Sequence, residues 1–257
     1  MNPETKWHSL TKDFHDFIAT RGFSEVLIGL SGGIDSAVVT ALAADALGKD
    51  KVHCLMMPSK NTSDLSKELA SEMAKNLGID FRTVPIQELA DTYNQTFAAF
   101  FTSVQPIVTE NIQARIRGNI LMAFSNQYNW LTLCCSNRSE IAMGYCTLYG
   151  DTVGGLCPIG NLYKTEVYEL ANWRNTVSPI IPEGIISRAP SAELAIGQKD
   201  EDTLPPYPLL DSVLAELLDK QKTTAEISRN YPAETVDWIA KRWQSMSFKR
   251  NLLPPAL

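Results

Sequence analysis

The chain has 257 residues, 44% hydrophobic and 20% charged, which suits one large α/β domain, or one domain with a helical appendage. A net charge of −6 disfavours nonspecific binding to nucleic acid or anionic membrane. No apolar run reaches the roughly 20 residues that span a bilayer, and the polar start MNPETKWHSLTKDFHDF is no secretory signal, so a cytoplasmic protein with no nucleic-acid or membrane partner is expected.

The N-terminal stretch 1–24 reads as a helix. VLIGL (26–30) is a continuous apolar run, as expected of a strand buried on both faces. AVVTALAADAL (37–47) has helical spacing and stops at Gly48. VHCLMMP (52–58) is the second strand. TSDLSKELASEMAKNLG (62–78) then places Leu65, Leu69, Met73 and Leu77 on one helical face. FRTVPI (81–86) is a third strand, followed by helices over about 87–101 and 106–127. WLTLCCS (130–136) is the fourth strand and KTEVYELANWRN (164–175) a further helix. Strands alternating with helices predict a parallel sheet covered on both faces.

From 178 to 208 the chain changes character, with six of its 14 prolines. An irregular stretch of about 30 residues inside a compact protein is more often a functional lid than a spacer. LLDSVLAELLDK and AETVDWIAKRWQSM close the fold as two amphipathic helices within 209–257. The five cysteines, Cys54, Cys134, Cys135, Cys146 and Cys157, form no C-x-x-C and read as reduced structural thiols. His8, His15 and His53 have no cysteine pair beside them, which argues against zinc.

The chemistry concentrates in SGGIDS (31–36), which joins a buried strand to a helix. Backbone N–H groups at a helix N-terminus face an incoming anion, and Gly32 and Gly33 let phosphate approach. Ser31 and Ser36 add hydroxyls. The pattern is neither G-x-x-x-x-G-K-[ST] nor G-x-G-x-x-G, so neither a P-loop ATPase nor a hydride-transfer fold is indicated. A carboxylate beside phosphates is costly unless a cation lies between them. Asp35 therefore reads as a Mg²⁺ ligand, the alternative being simple helix capping. Glu140 follows the fourth strand as Asp35 follows the first, which brings both carboxylates to the sheet edge where open α/β folds bind ligands. Met56 and Met57 end at the same edge, and one of them can pack on an adenine ring. Lys164 opens a helix whose dipole opposes it, which suggests an anionic partner. Arg115 and Arg117, two apart on a helix, point to different faces.

SGGIDS is similar to the SGGxDS signature of the ATP pyrophosphatase superfamily, which cleaves ATP between the α and β phosphates. ENIQARIRGNILMAFSNQYNWLTLCCSNRSEIAMGYCTLYGDTVGGLCPIGNLYKTEVYELANWRN and PSAELAIGQKDEDTLPPYPLLD resemble NAD synthetases, above all the synthetase domain of the glutamine-dependent branch. The likeness runs from about Lys12 to Arg250. It implies one Rossmann-like, doubly wound domain of the adenine nucleotide alpha hydrolase kind: a core over 25–177, the proline-rich lid 178–208 and C-terminal helices. It implies amidation of deamido-NAD by ammonia through an adenylate, using ATP and Mg²⁺. With about 25 residues before the first strand, a free-standing, ammonia-using homodimer is expected, a separate glutaminase remaining open.

Carried over, the ATP loop is Gly29, Leu30, Ser31, Gly32, Gly33, Ile34, Asp35 and Ser36. Met57, Cys135, Lys164 and Ser191 are further ATP contacts, and Asp35 and Glu140 are the metal ligands. Asp35 and Lys164 are the catalytic pair. Arg115, Phe248 and Lys249 are the deamido-NAD contacts. Two positions depart from the family. Cys135 stands where many members have threonine, and Leu148 stands where the shorter ammonia-dependent members have a substrate-binding lysine. A GMP-forming or tRNA-thiolating enzyme with the same loop is disfavoured by the acidic charge and the lack of a cysteine pair. A noncatalytic nucleotide sensor is disfavoured by Asp35, Glu140 and Lys164 occurring together.

Overall fold

The computed structural model describes residues 2–191, 193–195 and 197–257. Helix α1 (Pro3–Thr20) precedes an alternating run: β1 (Val26–Gly29), α2 (Ile34–Leu47), β2 (Val52–Met56), α3 (Asp64–Leu77) and β3 (Asp80–Thr83). Helices α4 (Gln87–Ala98) and α5 (Pro106–Tyr128) lead to β4 (Leu131–Thr132), α6 (Arg138–Met143) and α7 (Lys164–Val177). The four strands are parallel in the order β3-β2-β1-β4, the doubly wound arrangement expected. The order reverses between β1 and β4, so a crevice opens past their carboxyl ends.

Side chains alternate across a strand, and the two faces are sorted accordingly. Val26, Ile28, Cys54 and Met56 join a core with α1, α2, α3 and α7. Leu27, Leu55 and Met57 join a second with α4 and α5. Helix α2 buries residues all round its circumference, as a helix wedged between a sheet and α1 must. On α3, Leu69 and Met73 are buried as the spacing predicts, whereas Leu65 is exposed. It lies in the first turn, beyond the reach of the core.

The fourth strand is shorter than expected. Its ladder ends at Thr132, after which Leu133 bridges Leu156, and Cys157 in turn bridges Ala256. The sheet edge is thus continued by isolated contacts from distant sequence. The proline-rich segment is also more structured than a loop. Ile180, Ile181 and Ile185 are buried, and α8 (Glu183–Ser187) packs Gly184 onto Leu69. A third core gathers α6, α9 (Tyr207–Leu214), α10 (Thr224–Ile227) and α11 (Ala233–Ser245). The expected helix 209–220 is α9 running into a π turn, Ala215–Asp219. A last turn, α12 (Ser247–Arg250), follows.

At the amino ends of the strands, the His53 ring stacks on Trp130 at 3.5 Å. Its two nitrogens lie 2.9 Å from an Asp80 carboxylate oxygen and 2.7 Å from one of Glu25. All five cysteines carry free thiols. Among the described residues, no helix is long and apolar enough to cross a membrane.

Candidate active site

The crevice past β1 and β4 is a cavity of about 280 Å³, near the lower end for small-molecule sites. One wall is the SGGIDS loop. Gly32 turns at φ +80, and a Cβ there would lie 2.4 Å from the Ser66 carbonyl oxygen, so only glycine fits. The hydroxyl of Ser36 accepts from the Ser31 N–H at 3.2 Å and donates to the Gly33 carbonyl at 3.1 Å. These bonds hold the loop open at the start of α2.

Asp35 does not cap its helix: the cap is Gly33, with no side-chain bond. Its carboxylate instead accepts from the Lys164 ammonium at 2.6 Å and from Asn137 Nδ2 at 2.9 Å. The same ammonium donates to Glu140 Oε1 at 3.0 Å. Glu140 has a second duty, because its other oxygen accepts from the Asn137 N–H in a capping box on α6. Lys164 opens α7 and is 2% exposed. Burial alone would depress its pKa, but Asp35 and Glu140 prevail and hold it well above the usual lysine range. Burial pushes the Glu140 carboxyl upward against the pull of Lys164, and Asp35 adds to that push.

The lysine is fixed from behind. Its backbone N–H donates to Ser139 Oγ, and that hydroxyl donates to Asp211 on α9. The second Asp211 oxygen accepts from the Thr165 N–H at 2.8 Å. The Lys164 ammonium also lies 5.2 Å from the centre of the Tyr207 ring. Tyr207 donates to Asp200 at 2.8 Å. Among the described residues the other Asp200 oxygen is buried without a hydrogen-bond partner, and burial raises this carboxyl despite Lys164.

Of the residues expected from sequence, Gly29, Leu30, Ser31, Gly33, Ile34, Asp35, Ser36, Met57, Cys135, Glu140, Lys164 and Ser191 line the cavity. Both strand-end methionines reach it, although they root in cores on opposite faces. Burial pushes the Cys135 thiol well above its usual range, so it stays protonated. Arg115 does not line the cavity. It is exposed, and its Nε donates to the Leu148 carbonyl at 3.2 Å. Arg117 is the arginine that reaches in, donating to the Met57 carbonyl at 2.9 Å. Its burial lowers its pKa to about 10. Phe248 is 55% exposed, and Lys249 donates to the Gly144 and Cys146 carbonyls, behind the cavity-lining Tyr145.

Asn137, Tyr145, Arg188, Asp200 and Tyr207 were not legible as site residues. Asn137 stood in plain view as a capping residue before α6, whereas the others come from separate segments that only the fold unites. Asp35 and Glu140 offer two carboxylates, hard oxygen donors suited to Mg²⁺, which takes one or two such groups and completes its shell with phosphates and water. Among the described residues, no group of three or more His, Cys, Asp or Glu is arranged to hold a metal by itself.

A family model described as NAD synthase matches residues 6–253. Over its whole length the chain is 43% identical to a glutamine-dependent NAD(+) synthetase of Synechocystis sp., covering 46% of that protein. It is 44% identical to one from Acinetobacter baylyi, over 95% of this chain and 46% of the relative. The chain thus spans about half the length of the curated relatives it matches. Among solved structures, an NMN synthetase from Francisella tularensis superposes with TM-score 0.84 at 30% identity, covering 99% of each chain. An NH3-dependent NAD synthetase from Campylobacter jejuni superposes with TM-score 0.81 at 26% identity, covering 100% of this chain and 99% of that one.

Proposed function

The chain belongs to the NAD synthase family, and from that membership we propose that it amidates deamido-NAD with ammonia, converting ATP to AMP and pyrophosphate. The observation that carries this reading is the Lys164 ammonium seated between Asp35 and Glu140 at the lip of the SGG loop. A glycine loop at a helix start, a buried cation and two carboxylates meet there, as cleavage of a triphosphate requires.

A carboxylate is a poor acyl donor to ammonia because its carbon is electron-rich. The nicotinate carboxylate of deamido-NAD attacks the α-phosphorus of ATP, and pyrophosphate departs. Ammonia then adds to the carbonyl carbon of the acyl-adenylate, and AMP leaves with the electron pair of the broken C–O bond. The start of α2 at the SGG loop and the Lys164 ammonium stabilise the charge that gathers on the pyrophosphate. Asp35 and Glu140 would hold Mg²⁺, which when bound neutralises phosphate charge. The reaction needs in-line positioning rather than a protein nucleophile. Met57 would pack on the adenine, and the proline-rich segment 178–208, which carries Ser191, would close over the adenylate and keep water from it. Arg115, Phe248 and Lys249 remain contacts for the rest of the dinucleotide outside the cavity.

Ammonia is the proposed nitrogen source because the Campylobacter enzyme, described as NH3-dependent, matches this chain nearly end to end. The Francisella likeness favours one rival acceptor, nicotinate mononucleotide. The test is incubation with ATP, Mg²⁺, either acceptor, and ammonia or glutamine. NAD and AMP formed from deamido-NAD with ammonia alone is the expected result. ADP with phosphate sinks the reading. Preference for the mononucleotide replaces the acceptor, and a need for added glutaminase replaces free ammonia.

A homodimer is proposed as the working form. Ile107, Met122 and Tyr128 leave exposed apolar surface along α5, while Ile112, Ile116 and Leu121 of the same helix are core. Light scattering should give twice the mass of the 28.5 kDa chain, and a monomer at working concentration removes the idea.

A further inference from the structure

The charges around the cavity are unevenly committed. Asp35, Glu140, Asp151, Glu193 and Asp200 line it, against Lys164, Arg117 and Arg188. A triphosphate entering this surplus of carboxylates needs cations able to turn toward it. Lys164 already spends its ammonium on two carboxylates.

Arg188 is placed differently. It follows α8, which is anchored by the buried Ile185 and by Gly184 against Leu69. Its guanidinium reaches back over the phosphate loop, with Nη2 3.8 Å from where a Cβ on Gly33 would stand. Nη1 donates to Ser66 Oγ at 2.6 Å. The nearest carboxylate, Glu193, lies 3.8 Å from Nη1, beyond hydrogen-bond reach.

Glu193 itself is held by hydroxyls. One of its oxygens accepts from Ser63 Oγ at 2.9 Å and from Ser66 Oγ at 2.8 Å. Its backbone is left-handed, φ +48, a conformation an L-residue keeps only when its surroundings impose it. Asn61 and Gln113 both donate to the next carbonyl, that of Leu194, and do so here. The Arg188 guanidinium therefore lies beside Gly33, with the Ser66 hydroxyl and the Glu193 carboxylate at its other side. A planar guanidinium flanked by hydroxyls is a donor set that suits phosphate oxygens.

We propose that Arg188 is a further phosphate-binding residue of this site, taking the pyrophosphate end of ATP, and that Glu193 is an internal competitor for the same donors. The inference rests on the reading that ATP is cut between its α and β phosphates here. The Glu193 carboxylate is the counter-charge beside Arg188, 3.8 Å from Nη1, and it shares Ser66 Oγ with the guanidinium, so pyrophosphate that takes Arg188 displaces it.

The test is calorimetric titration of the full chain with inorganic pyrophosphate and Mg²⁺, and separately with AMP. Arg188→Gln retains a donor for Ser66 but no charge, and should weaken pyrophosphate binding about tenfold or more while AMP binding stays within about twofold. Arg188→Lys should fall between, since an ammonium lacks the fork. Glu193→Gln should tighten pyrophosphate severalfold, and only while Arg188 is present. Equal pyrophosphate affinity in wild type and Arg188→Gln overturns the proposal, as does a parallel loss of AMP affinity. Unchanged or weaker binding in Glu193→Gln overturns the competitor. Because the probe needs no pyridine substrate, a chain that binds pyrophosphate through Arg188 yet does not amidate deamido-NAD sinks the activity and keeps this inference. A wild-type chain that binds no pyrophosphate sinks both.

Discussion

Lys164→Met should all but abolish AMP formation and at the same time loosen the fold. Methionine fills the same space beside Tyr207 but leaves the half-buried Asp35 and Glu140 carboxylates at the same point with no cation between them. Removing one partner of a buried ion pair typically costs 3–5 kcal/mol, and this lysine serves two partners at 2.6 and 3.0 Å. Asn137 still donates to Asp35, which softens the loss without neutralising either charge. A thermal midpoint lowered by several degrees, with turnover down roughly 10³-fold from the lost charge stabilisation, is the expected pair of results. Loss of turnover with an unaltered midpoint would show that the lysine is dispensable to the fold, contrary to its burial.

Asp35→Asn separates the two roles. The amide keeps an oxygen for Asn137 but sets its N–H2 toward the Lys164 ammonium, which keeps Glu140, so the molecule should fold with a midpoint lowered less than in Lys164→Met. What disappears is one anionic oxygen ligand at the phosphates. Pyrophosphate exchange into ATP should fall by roughly 10²–10³-fold, and raising Mg²⁺ should restore only part of it. Exchange at the wild-type rate would refute the metal role of Asp35. The two substitutions are diagnostic together, since the lysine variant injures fold and chemistry alike and the aspartate variant chiefly the chemistry.

Much of this was legible before any coordinates. A buried strand, a glycine turn and a helix are local events, and SGGIDS announces all three. The parallel sheet follows from strands alternating with helices, and the shared edge of Asp35 and Glu140 follows from both residues trailing a strand. Lys164 was readable as a cation in want of an anion, but the sequence did not say that its partners were those two carboxylates. Pairings across 129 and 24 residues depend on how α7 docks on α2 and α6, which no local pattern encodes. Arg117 illustrates the same limit. Spacing showed that it and Arg115 face different ways, but not which one faces the cavity. The fourth strand was overread because apolar alternation continues past Thr132, while the backbone there leaves the ladder to bridge Leu156. Arg188, Glu193 and Asp200 sit in a stretch with no periodicity to read.

The histidine at the opposite edge of the sheet bears on how the front can be built at all. His53 of β2 reaches Glu25 just before β1 and Asp80 of β3, so three neighbouring strands are pinned at the back like the jaws of a vise closed from behind. A one-residue slip would turn every side chain to the wrong face, and this fastening resists it where no ligand has to pass. The front then needs no side-chain fastening beyond its backbone ladder. Its strands can stop early, its glycines can bend as the phosphates demand, and it can carry surplus negative charge that would pry apart a sheet fastened only at that end.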